Sequence, residues 1–215
     1  MSAGPAEALP GAPGSPTPPA GTEPVAGGGG PGQAGPGSPA RELRRRRLVR
    51  SATGLLMVAF VLATAKLYVF PKRDAPVPAD AVVMFAGSAG RLELALRLAR
   101  DGYAPVLAIS QPTPRDPCPP DTIPGVEVVC FHPKPLTTQG EARWVGATAR
   151  VRGWRSIIVI TSTPQDTRAR LRLSRCYGGQ VHVMGVDPMT RAAWVYMVTY
   201  EWAATAKALT IQRSC

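Results

Sequence analysis

The first forty residues contain no lysine, no arginine and no cysteine, and their only acids are Glu7 and Glu23. Ten prolines and eleven glycines make up just over half of that stretch. Such a segment buries too little apolar surface to offset its ordering entropy, so residues 1–40 are expected to be a disordered tail. Residues 51–70 lack acids altogether and carry a single charge, Lys66. Cysteine is absent before position 118, and histidine occurs only as His132 and His182. These gaps exclude a single 215-residue globule. At most about 165 residues remain for folding, which is one ordinary domain. Neither histidine has a Ser or Cys partner nearby in sequence, so a nucleophile–base pair is not supported and structural roles are expected.

What is present begins with charge. Residues 41–50 (RELRRRRLVR) hold six arginines and one glutamate, about half of the chain's net +11. The run SATGLLMVAFVLATAKLYVF follows at once, over 51–70. Its twenty residues match the length of helix that crosses a bilayer. Lys66 lies where its stem can reach the interface, Tyr68 and Phe70 sit at the same edge, and Pro71 ends the run. A basic cluster against an apolar span is a topological signal, so residues 1–50 are expected in the cytoplasm and the rest outside. That placement leaves no need for a nucleic-acid partner, although arginine runs also bind phosphates. Ala63-Thr64-Ala65 has the form of a signal-peptidase site, but a fifty-residue leader is long for one. An uncleaved anchor in the plasma membrane is therefore expected, and both readings export the C-terminal part.

Cysteine usage agrees with export. Cys118, Cys130, Cys176 and Cys215 all follow the span, an even count that suggests disulfides. None of the spacings is the short paired form of a zinc site, so no metal is expected. Three connectivities are possible. The preferred one joins Cys118 to Cys130, clamping a Pro-rich loop to the following strand, and Cys176 to Cys215, tying the C-terminus to a helix end.

Residues 71–79 (PKRDAPVPA) read as a linker to a domain over 80–215. Apolar runs predict strands at 81–85, 106–110, 126–130, 157–160 and 181–184. Helical patterns fall between them at 91–100, 137–152, 167–175 and 190–209, with Gly102 closing the first. Thr137 or Thr138 caps the second helix, and Glu141 follows Thr138 by three residues as in a capping box. Alternating strands and helices imply a Rossmann-like α/β domain, a mainly parallel sheet with helices on both faces.

Ligands in such folds bind beyond the carboxyl ends of the strands. Three loops meet that condition. The first offers Gly87, Ser88, Gly90 and Arg91; the second, Thr138 and Glu141; the third, Thr161, Ser162, Gln165 and Arg168. Hydroxyls, helix N-termini and guanidinium groups on one edge suit a phosphate or carboxylate. Each feature alone is an ordinary turn or cap, and only their joint placement points to a pocket.

The segments A-D-A-V-V-M-F-A-G at 79–87 and L-A-R-D-G-Y-A-P-V-L at 98–107 resemble the opening of the YdcF/SanA/ElyC-like domain. P-L-T-T-Q-G-E-A-R at 135–143, G-W-R-S-I-I-V-I-T-S at 153–162, T-R-A-R at 167–170 and Y-E-W-A-A-T-A-K-A-L at 200–209 keep that family's order. The likeness is to actinobacterial members with one N-terminal span and four cysteines. It implies an α/β domain, often exported behind one span and linked to cell-envelope maintenance, with no settled reaction. It places the polar edge on Gly87, Arg91, Thr138, Glu141, Thr161, Ser162 and Arg168. Two departures matter: the family usually has several glycines after the first strand, where this chain reads Ala86-Gly87-Ser88-Ala89-Gly90, and the family's histidine in T-S-x-x-H-x-x-R-A is Gln165 here, an amide that does not titrate.

The expected function is binding of an anionic small molecule or lipid-linked envelope precursor by a membrane-anchored extracytoplasmic domain. A hydrolase or transferase acting on phosphorylated or lipid-linked substrates is the alternative, with Glu141 its one acid–base candidate. A membrane-tethered scaffold is a third reading. No cofactor is named by the sequence.

Overall fold

The computed structural model describes residues 39–87, 89–111, 118 and 123–215. The expected tail therefore lies outside the described residues, apart from its last two positions, as does Ser88. The chain divides into two units, residues 1–47 and 48–215. Of the first, the described part is helical and carries an exposed Arg46–Glu42 pair at 3.1 Å.

Helix α1 runs Pro39–Thr64 and continues as one π-helical turn, Ala65–Val69. The basic segment 41–50 is thus helical, not a separate element before the apolar run. The stretch Ala40–Val69 is long and apolar enough to cross a membrane. Five strands follow: β1 Ala81–Met84, β2 Val106–Ser110, β3 Glu127–Phe131, β4 Ser156–Ser162 and β5 Gln180–Val186. The helices between and after them are α2 Ala89–Arg100, α3 Thr138–Arg152, α4 Asp166–Cys176 and α5 Arg191–Thr210. All strands are parallel, in the order β3-β2-β1-β4-β5. Val82 is level with Leu107 on one side and with Ile158 on the other.

The strands are apolar almost throughout because both faces are covered. Val82, Met84, Leu107, Ile109, Ile158 and Ile160 meet Ala95, Leu98 and Ala99 of α2. Their neighbours Ala81, Val83, Phe85, Val106, Ala108, Ile157 and Val159 point the other way, onto Ala142, Val145 and Ala149 of α3 and Ala169 and Leu173 of α4. Ile157 through Ile160 are fully buried. Side chains of this size each contribute about 1.5–3 kcal/mol on burial, so β4 anchors the core from both sides.

The two disulfides join Cys118 to Cys130 and Cys176 to Cys215 across Cα distances of 5.9 and 4.9 Å, the expected pairing. They fit an extracytoplasmic domain, since such bonds persist in oxidising surroundings. The linker segment is strapped down at its start. Asp74 accepts the Val183 amide at 2.9 Å and pairs with Arg170 at 2.8 Å. Burial opposes its charge, but that amide and Arg170 hold Asp74 below the usual carboxylate range. Arg170 also donates to the Lys72 carbonyl at 3.2 Å. Residues 71–74 are therefore part of the domain surface, because the Asp74 carboxylate and the Lys72 carbonyl are satisfied there.

Candidate functional site

Strand order reverses direction at β1 and β4: the chain moves from β1 outward to β3, then returns to β4 on β1's other side. The loops after these two strands diverge and leave a crevice, the usual ligand position in this architecture. Here the crevice is a cleft of about 220 Å³ lined by Ala86, Thr138, Glu141, Gln165, Arg168 and Tyr200, among others.

Helix α3 delivers Thr138 and Glu141. Thr137 is its cap, accepting the Gly140 amide at 3.4 Å. Gly140 is required there, since a Cβ would overlap the Pro135 carbonyl oxygen. The capping-box expectation for Glu141 is corrected: with the cap at Thr137, Glu141 lies one residue too far along. Its carboxylate instead crosses to the loop after β1 and accepts the Ala86 amide at 2.7 Å. Burial raises the Glu141 pKa, against the Ala86 amide, the neighbouring Ser110 hydroxyl and the charges of Arg91 and Arg168.

A 3₁₀ turn, Thr163–Gln165, carries the chain from β4 into α4 and sets Gln165 and Arg168 over Thr138. Arg168 grips Glu201 of α5 through two bonds, Nε and Nη2 each at 2.7 Å. Its third arm, Nη1, donates to Thr138 Oγ1 at 2.7 Å. Gln165 Nε2 donates to the same oxygen at 2.7 Å. Both lone pairs of the Thr138 hydroxyl are then engaged, so its proton is left to donate, and Thr138 faces the cleft. Burial opposes the charge on Arg168, but Glu201 outweighs it and the pKa is raised. Tyr200 closes one wall, with the Arg168 guanidinium 5.7 Å above its ring.

Of the expected site residues, Thr138, Glu141, Gln165 and Arg168 come together at the cleft. Arg91 lies behind it, buried, with Nη1 donating to the Phe85 and Ala86 carbonyls. Burial lowers its pKa, against the pull of Glu141 and Glu201. Gly87 lets this happen, for a Cβ there would fall on the Arg91 guanidinium. Thr161 and Ser162 are buried in the sheet edge, and their hydroxyls have no hydrogen-bond partner among the described residues. Gly90 does not join the group; a Cβ on it would face Val186 of β5. His132 and His182 follow or lie within strands and line no part of this cleft.

Glu201 and Tyr200 were missed as site residues. A signal existed: Glu201 is the sole acid after Asp187, set in an otherwise apolar helix. A carboxylate so placed is buried only if paired. A larger hollow of about 610 Å³ lies at the opposite strand edge, lined by Arg150, Arg155, Tyr177 and glycines. Burial pushes the Tyr177 phenol up to about 12. That hollow contains no buried charge network, so the smaller cleft is the better site. Compared with protein-family models, with curated proteins and with solved structures, the chain finds no match in any of the three.

Proposed function

We propose that this is a membrane-anchored envelope protein of the YdcF/SanA/ElyC-like kind whose extracytoplasmic domain binds a phosphate- or carboxylate-bearing molecule in the cleft between β1 and β4. One observation carries the reading. Thr138 Oγ1 accepts from both Arg168 and Gln165, which turns its proton into a fixed donor beside a guanidinium. A donor of this kind wants an acceptor, and an anion is the best one. Gln165 supports the arrangement as a neutral, non-titrating donor, which fits holding a ligand better than moving a proton.

Titration of the full detergent-solubilised chain with inorganic phosphate and pyrophosphate tests it by calorimetry. Thr138→Val nearly keeps the side chain's shape and removes the hydroxyl, both its proton and the acceptor of Arg168 and Gln165. A hydrogen bond to a charged group is worth about 1.5–3 kcal/mol, so binding should weaken roughly tenfold or more. No binding of either anion, or equal affinity in Thr138→Val, refutes the proposal.

The hydrolase or transferase reading has one observation in its favour: Glu141 lines the same cleft and burial raises its pKa. A carboxyl whose pKa is raised holds its proton more tightly, as a general acid needs. Turnover of a phosphorylated substrate abolished in Glu141→Gln would favour it.

A further inference from the structure

Helix α5 carries an apolar face that the rest of the domain leaves open. Val195, Tyr196 and Tyr200 stand on it at helical spacing, 69%, 71% and 54% exposed. Between Arg191 and Lys207 its only charge is Glu201, which is turned inward onto Arg168. The same helix is seated against α1. The Trp202 ring stacks on Phe60 with centroids 5.1 Å apart and meets Tyr68 edge-on at 5.2 Å. Its indole N–H donates to the Thr64 hydroxyl at 3.1 Å.

Depth follows from these contacts. Phe60 precedes Phe70 by ten residues, so at about 1.5 Å per residue it lies about 15 Å down the helix from the end of the apolar run. The twenty residues 51–70 span about 30 Å, the thickness of the hydrocarbon core. Trp202 therefore stands below the domain-side end of the apolar run, on the membrane side of it. Lifting the domain to bring Trp202 into water would draw Arg50 into the hydrocarbon. A charge at that depth is strongly disfavoured. Nor can the domain swing aside freely. Thr167 Oγ1 donates to the Leu67 carbonyl at 2.5 Å, and Asp74 holds Arg170 and the Val183 amide.

We propose that α5 is an interfacial helix, laid into the domain-side leaflet of the bilayer beside the spanning helix, with Val195, Tyr196 and Tyr200 against lipid. The proposal rests on the reading that residues 51–70 cross the membrane. Tyrosine suits this position, since its ring is apolar and its hydroxyl can reach toward the headgroups, while the Trp202 N–H is satisfied by Thr64. Tyr200 also lines the cleft, so one wall of the cleft is shared with the lipid-facing helix.

The test uses the full chain reconstituted in phosphatidylcholine–phosphatidylglycerol vesicles whose acyl chains carry bromine, which quenches tryptophan on contact. Trp202→Phe should lose the larger part of the quenchable emission. Tyr196→Trp, at an exposed position and with Trp202 retained, should add quenchable emission. Leu56→Trp reports on the span alone. Quenching of Leu56→Trp without quenching at 196 or 202 overturns the docking while leaving the span. Absence of quenching in Leu56→Trp overturns both. A tryptophan at 196 that acrylamide reaches lies in water, and one that neither quencher reaches is covered by protein, a second copy included; either result refutes the proposal.

Discussion

Removing the cation from the Arg168–Glu201 pair is the sharpest perturbation available. The Glu201 side chain is 2% exposed and that of Arg168 10%, and two bonds of 2.7 Å join them. Arg168→Met leaves Glu201 buried without its partner and strips Thr138 of one donor. Breaking a buried pair from one side costs about 3–5 kcal/mol, because the surviving charge keeps its desolvation penalty. At about 2–4 °C per kcal/mol for a domain of this size, Tm should fall by roughly 6–20 °C. Glu201→Leu should behave alike, leaving Arg168 unpaired. The double variant should be more stable than either single one, because two apolar side chains of similar volume leave no orphaned charge. Thermal unfolding of the full chain in detergent, followed by near-ultraviolet circular dichroism, measures all three. Single-variant losses below about 1 kcal/mol, as at a surface pair, would refute the reasoning. Losses that add in the double variant would do the same.

Two further outcomes follow. The Glu141 pKa is raised in the folded state, so its stabilising contribution is complete below the unfolded value of 4.5 and is lost as pH rises through the folded value. Relative to Glu141→Gln, the wild type should lose stability over that window, at a limiting slope of about 1.4 kcal/mol per pH unit; a gap that stays constant with pH would contradict the burial argument. Replacing Cys176 and Cys215 together by Ala opens a link across 39 residues. Loop-closure entropy predicts a loss of about 4 kcal/mol, read from the full denaturant unfolding curve with its own slope, and a loss under about 1 kcal/mol would show the link to be idle.

The elements that were legible are those whose signal is local. β1, β2 and β4 are uninterrupted apolar runs, and the structure keeps each within one or two residues of the expected bounds. The Cys176 link was legible because the cysteine ends an amphipathic helix and its partner ends the chain. Local signals also misled. Thr138 and Glu141 have capping-box spacing, yet Thr137 takes the cap and Glu141 serves a loop 55 residues away. Residues 71–79, with three prolines, read as a linker, and nothing nearby in sequence shows that Asp74 within it answers Val183 and Arg170.

The sequence by itself determined the apolar helix, the alternation of strands and helices and the edge on which polar loops gather, because each depends on periodicity within a few residues. Only the tertiary structure decided which of those polar residues meet. Arg168 finds Glu201 across 33 residues and Thr138 across 30. These encounters depend on β4 returning to β1's free side and on α5 folding back over the crevice, so that buried charges are forced to find partners. Arg91, Thr161 and Ser162 carry the same chemistry in sequence, yet Arg91 turns back onto the Phe85 and Ala86 carbonyls and the two hydroxyls stay buried without lining the cleft.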